Sequence, residues 1–164
     1  MTSSPVDPDD LAGATAQGGA GTVVVGIDAS PHSGHALRWA LEQARLTAAS
    51  VRAVTCWEWP PSLGMTGSVD LDLAGAAREA AQRVVDEVLS EVPDAAPVHL
   101  QVIEGYPGQV LVEEAAAADL LVVGSRGRGA LGRMLLGSVG LHCASHAPCP
   151  VVIVPDPAEP RPPA

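Results

Sequence analysis

The sequence predicts an α/β protein in which a five-stranded, doubly wound parallel sheet lies between helices on both faces. Short apolar runs rich in valine alternate along the chain with longer amphipathic stretches. The apolar runs lack a polar–apolar alternation, which is typical of strands that are covered on both faces. Aromatic residues make up only 2% of the chain, so Val, Leu and Ala must build the core. Right-handed crossovers between such strands favour the strand order 3-2-1-4-5.

The composition indicates one acidic domain. A chain of 164 residues, 47% of them hydrophobic, is long enough for a single core. A net charge of −10 with few aromatic residues argues against nucleic-acid binding. The acidic first residues do not resemble a signal peptide, and no apolar run is long enough to span a membrane. We therefore expect a cytoplasmic protein, whose three cysteines lack C-x-x-C spacing and stay reduced.

Both ends of the chain differ in composition from the middle. Residues 1–21 are rich in Ser, Asp, Ala and Gly, and residues 156–164 are rich in proline. Neither segment can bury enough apolar surface to order itself. The sequence thus predicts two disordered tails around one domain at residues 22–155.

The first strand and helix are predicted at residues 22–48. Residues 22–27 form an apolar strand, and Asp28 stands at its carboxyl end. Ser30 is a suitable N-cap, with Pro31 at the first helical position. A buried helix face with a 3.6-residue period is predicted at Leu37, Ala40, Leu41, Ala44 and Ala48.

The middle of the chain continues the alternation. Residues 51–57 and 98–103 are predicted strands, and residues 70–92 a helix with a buried face at Leu73, Ala77, Ala80, Val84 and Val88. A loop containing Trp57 and Trp59 runs to about residue 67, and two roles stay open for it: a lid over a ligand, or rim packing against the core. A short helix after Pro107 carries Val110, Leu111 and Ala115.

The fourth predicted strand, residues 120–123, leads into a glycine-rich loop and a helix. Gly124 and Gly127 allow backbone N–H groups to approach a ligand closely. Ser138 is the expected N-cap of a helix that ends at His146, with its positive end towards the loop. Three arginines lie at positions 126, 128 and 133, whereas residues 120–155 contain no Asp or Glu. This pattern predicts a site for a small anion, and a solvated glycine-rich surface loop is the alternative.

Other motifs fit less well. The run Gly127-Arg128-Gly129-Ala130-Leu131-Gly132 has the G-x-G-x-x-G form, but no acidic residue follows about 20 positions later to bind a ribose. A lysine-containing P-loop is excluded because the chain has no lysine. His142 and His146 are four residues apart on one helix, but no further local ligand completes a metal site. We expect no protein-bound metal centre.

One resemblance is specific. The spacing Gly124-x2-Gly127-x9-Gly137-Ser138 resembles the phosphate-binding motif of the ATP-binding branch of the universal stress protein family. The likeness covers residues 22–154. It implies an adenine nucleotide α-hydrolase-like fold, ATP as the ligand with Mg²⁺ as an optional companion, and a homodimer through the last strand, at Val151, Val152, Ile153 and Val154.

The resemblance also implies a nucleotide site. In that site, by the resemblance, main-chain groups near Cys56 are expected to contact adenine, and Asp28 is expected to contact the nucleoside. From the residues alone, three roles stay open for Asp28: ribose or base contact, help with a Mg²⁺ ion, or capping of the next turn. The full set of expected nucleotide-binding residues is Gly26, Ile27, Asp28, Cys56, Val123, Gly124, Arg126, Gly127, Gly137, Ser138 and Val139.

The predicted function is nucleotide-dependent regulation of a stress response, with an unidentified protein partner. Rapid phosphoryl transfer calls for a clamping lysine and a positioned base, and the chain offers only arginines and Asp28. We therefore expect that the protein is not an enzyme. Two alternatives stay open: a module that binds AMP or cyclic AMP, and a slow ATPase on the same scaffold.

Overall fold

The structure is a computed structural model that describes residues 21–60, 72–127 and 136–155. Within these ranges five strands alternate with four helices. The strands are β1 (Thr22–Gly26), β2 (Ser50–Trp57), β3 (Val98–Glu104), β4 (Leu120–Gly124) and β5 (Val151–Val154). The helices are α1 (Pro31–Thr47), α2 (Leu73–Glu91), α3 (Pro107–Ala115) and α4 (Ser138–His146). The predicted tails and the loop after Pro60 lie outside the described residues.

The five strands form one sheet in the order β3-β2-β1-β4-β5, and every neighbouring pair is parallel. The predicted order is therefore confirmed. β1 is the central strand, and Val24 and Val25 within it are completely buried. Such burial explains the continuous apolar run, because both faces of β1 are covered.

Helices cover both faces of the sheet, as predicted. α1 and α2 pack on one face, where Leu37, Leu41 and Val88 join a core cluster with Val25. α3 and α4 pack on the other face, in a second cluster that contains Leu111, Cys143 and Val24. Successive residues of a strand face opposite sides, so Val24 and Val25 contribute to different clusters. No helix in the described ranges is both long and apolar enough to cross a membrane.

α1 begins as predicted but ends earlier. The Ser30 hydroxyl accepts a hydrogen bond from the Ser33 N–H group, and Pro31 opens the first turn. The prediction that Ala48 belongs to the buried face is wrong. Ala48 is exposed and has a left-handed backbone (φ 53°), so it caps the helix after Thr47.

The predicted buried face of α2 is displaced by one position at two of its residues, while Val88 is buried as predicted. The buried residues are Ala81, Val85 and Val88, whereas Ala80 and Val84 are only half-buried. The helix starts at Leu73, and the Asp72 carboxylate accepts a hydrogen bond of 2.7 Å from the Gly75 N–H group. The sequence offers apolar residues at both sets of positions, and packing against the sheet selects one set.

The carboxyl edge of the sheet has a step. The register between β1 and β2 ends with Gly26 opposite Val54, but β2 continues to Trp57 in register with β3. Three further residues at about 3.3 Å each extend β2 by about 10 Å beyond the end of β1. The chain segments that follow β1 and β4 lie beside this step.

Candidate functional site

The predicted site residues meet at the carboxyl ends of β1 and β4. These strands are neighbours, but the chain leaves them in opposite directions: β1 is followed by β2 on one side, and β4 by β5 on the other. Such a reversal leaves a crevice above the strand ends, where open α/β sheets bind ligands. Asp28 follows β1 and Gly124 ends β4, so both border this crevice.

Asp28 is held in place by the start of α1. Its Oδ1 atom accepts hydrogen bonds from the Ser30 N–H group (3.0 Å) and the Ser30 hydroxyl (2.5 Å). Between them, Ala29 adopts a left-handed backbone (φ 60°), which turns the chain sharply after β1. One carboxylate oxygen thus stabilises the turn, which is the third of the roles predicted for Asp28. The two ligand roles remain predictions.

The other oxygen of Asp28 faces the glycine-rich loop. A Cβ atom built on Gly127 would lie 2.6 Å from Asp28 Oδ2, closer than any side chain tolerates. A Cβ on Gly124 would lie 3.2 Å from the Arg126 carbonyl oxygen and 3.4 Å from that of His32, so these backbone atoms would have to shift by a few tenths of an ångström. Close backbone approach therefore favours glycine at position 124, and the nearby Asp28 carboxylate favours it at position 127.

Backbone hydrogen bonds join the loop to β5 and to α4. The Ser125 N–H group donates to the Val154 carbonyl (2.8 Å), and the Ser125 carbonyl accepts from the Gly137 N–H group (2.8 Å). The second bond holds Gly137, which begins the second half of the glycine motif, against Ser125 in the first half. The start of α4 lies directly beside the end of β4.

The cap of α4 differs from the prediction. Gly137, not Ser138, is the N-cap, with φ −71° and ψ 161°, and Ser138 is the exposed first residue of the helix. Gly137 takes this position because its N–H group is bonded to Ser125. No side chain in the described part of the chain caps the helix, and the first intrahelical bond within α4 runs from Leu141 to Gly137. The N–H groups of Ser138, Val139 and Gly140 find no acceptor inside the helix.

The end of β2 presents main-chain groups to the same crevice. Ile27 N–H donates to the Val54 carbonyl on one side, and the Trp57 carbonyl accepts from Gly105 on the other. Backbone groups of successive strand residues alternate between the two neighbouring strands. Cys56 therefore directs its N–H and carbonyl towards the space above β1, where the register with β1 has already ended. This geometry suits the main-chain contact predicted there.

The Cys56 side chain is a poor candidate for redox chemistry. Burial raises the pKa of its thiol to about 11, and the negative charge of Glu58 acts in the same direction. Burial also raises the pKa of the Cys143 thiol to about 11. Both thiols are therefore protonated at neutral pH and weakly nucleophilic.

The remaining predicted residues line or support the crevice. Gly26 lies against Leu111, Ile27 and Val123 are buried, and Arg126 and Val139 are half-buried. Arg128 and Arg133 lie outside the described residues. His142 and His146 stack at 4.4 Å on α4, and no group of three or more His, Cys, Asp or Glu in the described ranges is arranged for a metal ion.

Two features at this edge were not predicted from the sequence, and a third adds detail to the predicted tryptophan loop. The hydroxyl of Ser30 donates to Asp28, and a D-x-S pattern before a helix would have indicated this bond. Ser125 is only 4% exposed, and its hydroxyl has no hydrogen-bond partner among the residues that the structure describes. Trp57 and Trp59 form an edge-to-face pair at 5.9 Å, in which Trp57 is half-buried and Trp59 is 50% exposed, and the two roles predicted for their loop stay predictions.

Comparison with known proteins gives the family. A model described as the universal stress protein family matches residues 20–155. The chain belongs to this family. A universal stress protein of Methanocaldococcus jannaschii is 31% identical over 140 residues, which are 82% of each chain. One of Mycolicibacterium smegmatis is 33% identical over 139 residues, or 80% of this chain and 47% of the relative. This universal stress protein thus spans about half the length of the mycobacterial relatives it matches.

Solved structures agree with the fold. The universal stress protein UspA from Lactobacillus plantarum aligns with a TM-score of 0.69 at 24% identity, over 82% of this chain and 97% of that one. A crystal structure of a universal stress protein in complex with cAMP aligns with a TM-score of 0.64 at 27% identity, over 82% of this chain and 96% of that one. The predicted family and fold class are confirmed.

Proposed function

We propose that this universal stress protein binds an adenine nucleotide in the crevice above β1 and β4. The observation that carries the proposal is the convergence of Asp28, Gly127 and the start of α4, because Asp28 Oδ2 faces Gly127 and Ser125 joins the loop to Gly137. Helix N-termini with N–H groups unused inside the helix bind phosphate oxygens.

Each predicted residue has a role in this proposal. The N–H groups of Gly127, Ser138 and Val139 would donate to the phosphates, and Arg126 would offset part of their charge. The main chain of Cys56 would pair with the base edge. Residues 120–155 carry no acidic side chain although the protein has a net charge of −10, so the loop and α4 themselves add no negative charge beside the phosphates.

The preferred ligand is ATP. Mg²⁺ usually keeps several waters and binds through one or two carboxylates together with phosphates. Asp28 is the carboxylate that the structure places against the loop, so it would be the protein's contribution to a Mg²⁺ ion held by the triphosphate. In this proposal the ion arrives with the nucleotide.

The output would be regulatory and not catalytic. A bound nucleotide would favour one conformation and thereby change affinity for a protein partner in the cytoplasm. Homodimerisation is part of the same proposal, because β5 pairs with β4 on one side and is an edge strand on the other. A slow ATPase remains the enzymatic alternative, and release of ADP by purified protein tests it.

Binding of AMP or cyclic AMP is a second candidate function. One observation favours it: the groups at the start of α4 are mainly backbone N–H groups, which do not require three phosphates. The similar protein solved with cAMP supports the same ligand class.

Isothermal titration calorimetry with ATP, AMP and cyclic AMP tests the proposal. We expect saturable binding, with ATP tighter than AMP by at least tenfold. Asp28→Asn should weaken binding, whereas Asp86→Asn, an exposed aspartate on α2, should not. Equal affinity for ATP and AMP would favour the AMP or cyclic AMP function. If none of the three nucleotides binds, both proposed functions are wrong.

A further inference from the structure

The two tryptophans at the end of β2 are an unusual surface feature of this chain. The protein has only four aromatic residues, three Trp and one Tyr, and two of them form an edge-to-face pair in which Trp57 is half-buried and Trp59 exposed. Of the residues described, those packed against the two core clusters include Trp39 but neither Trp57 nor Trp59. Among the residues that the structure describes, packing against these two clusters therefore does not account for the pair.

The step in the sheet puts this pair beside the crevice. β2 extends beyond β1 by the three residues Thr55, Cys56 and Trp57, so Trp57 stands at the top of the wall that flanks the strand ends. Trp57 is an even number of residues from Val51 and Ala53, whose side chains face the α1 and α2 layer. By alternation, the Trp57 side chain also points to that layer.

A ligand hydrogen-bonded to the main chain of Cys56 would continue the plane of the sheet, much as another strand would. A flat heterocycle in that position turns one of its faces towards the α1 and α2 layer. Trp57 stands on that side, and Trp59 contacts it edge to face at 71°, half exposed to solvent. Aromatic side chains at such a position stack on bases irrespective of base identity.

We infer that the Trp57–Trp59 pair is the stacking wall of a nucleobase subsite and contributes affinity through the base and not through the phosphates. The inference rests on the proposed nucleotide function and extends it from the phosphate loop to the opposite end of the crevice. Trp59 is the residue to test, because it lies outside the strand and its replacement leaves the β2–β3 pairing intact.

The test compares ATP with inorganic triphosphate, which lacks the base. Removing one stacking side chain should weaken ATP binding about tenfold. We therefore expect Trp59→Leu to bind ATP about tenfold more weakly than the wild type and to bind inorganic triphosphate equally well. Trp59→Phe, which retains a flat ring, should bind ATP within threefold of the wild type. Leu46→Ala, at an exposed apolar residue near the end of α1, is the control and should change neither affinity.

Intrinsic fluorescence provides a second readout. ATP should quench tryptophan emission of the wild type, and inorganic triphosphate should not. If Trp59→Leu binds ATP like the wild type, or loses ATP and triphosphate equally, the inference is wrong while the nucleotide function stands. If the wild type binds no adenine nucleotide, the proposed function fails and this inference fails with it.

Discussion

The Asp28 carboxylate lies so close to Gly127 that a Cβ atom on the glycine would be 2.6 Å from Oδ2. The carboxylate cannot turn away freely, because its Oδ1 atom accepts two hydrogen bonds from Ser30. The turn after β1 and the loop after β4 therefore constrain each other. This contact joins the two halves of the candidate site independently of any ligand.

Gly127→Ala tests this contact. The new methyl group must displace the carboxylate and weaken its bonds to Ser30, so we expect the free energy of unfolding to fall by about 1 kcal/mol. Urea denaturation of the wild type and the variant measures the change. In an Asp28→Ala background the same substitution should cost less than about 0.5 kcal/mol, since the obstructing oxygen is gone. An equal cost in both backgrounds would contradict the account.

Ser30→Ala tests the start of α1. The substitution removes the acceptor for Ser33 N–H and a donor to Asp28. Loss of an N-cap serine costs about 1–2 kcal/mol, and we expect a decrease of that size in thermal or urea unfolding. Ser90→Ala is the control, because its exposed hydroxyl bonds only to the Glu87 carbonyl within α2. A comparable loss in both variants would show that Ser30 has no special role.

Ser125 and Ser33 form a matched pair of buried serines, each 4% exposed. The Ser33 hydroxyl donates to the Ser30 carbonyl at 2.8 Å, whereas the Ser125 hydroxyl has no partner within residues 21–60, 72–127 and 136–155. In nucleotide-free protein, Ser33→Ala should lower the free energy of unfolding by about 1 kcal/mol. Ser125→Ala should leave it unchanged or raise it. A clear loss of stability for Ser125→Ala would mean that its hydroxyl does find an acceptor.

Association through β5 can be tested at a single residue. Pro150 and Val154 direct their carbonyls to β4. Because the backbone groups of successive strand residues point to alternate sides, the N–H group of Ile153 lies on the outer edge of the sheet. Ile153→Pro removes that outward donor and no bond to β4. If the chain dimerises through this edge, multi-angle light scattering should show a dimer for the wild type and a monomer for the variant. A dimer that survives this substitution, in a variant that remains folded, would place the interface elsewhere.

The buried thiols predict a loss of stability at alkaline pH. The pKa of Cys143 is about 11 in the folded protein, above its ordinary value of 9.0. Between these values the unfolded chain loses a proton that the folded chain keeps, so stability falls as pH rises from about 9 to 11. Melting temperatures across this range should fall less steeply in Cys143→Ala than in the wild type. Parallel slopes would show that this thiol does not titrate with unfolding.

Much of the fold follows from patterns that hold locally. The buried strands are continuous apolar runs because both faces of the sheet are covered, and Ser30-Pro31 marks the start of α1 because a cap and a fixed φ act within one turn. The buried face of α2 was misplaced for a different reason. Apolar residues stand at Ala80 and Ala81 and again at Val84 and Val85, and only contact with the sheet decides between them.

In the candidate site, too, local patterns predict some features, and contacts between distant residues decide others. The glycine spacing predicted where the loop approaches α4, but not which residue caps the helix. Gly137 takes the cap because its N–H group bonds to Ser125 across the loop, a contact between residues 12 positions apart. The apposition of Asp28 and Gly127 follows from the predicted strand order, which makes β1 and β4 neighbours, whereas the step at Trp57 depends on strand register, which no local motif encodes.

Amide chemical-shift mapping during an ATP titration tests the central claim most directly. If the crevice above β1 and β4 binds the nucleotide, the amide signals of Gly127, Ser138, Val139 and Cys56 should shift together. The shifts should saturate with a stoichiometry of one nucleotide per protein chain. Saturating shifts confined to the opposite edge of the sheet, or no saturable shift at millimolar ATP, would contradict it.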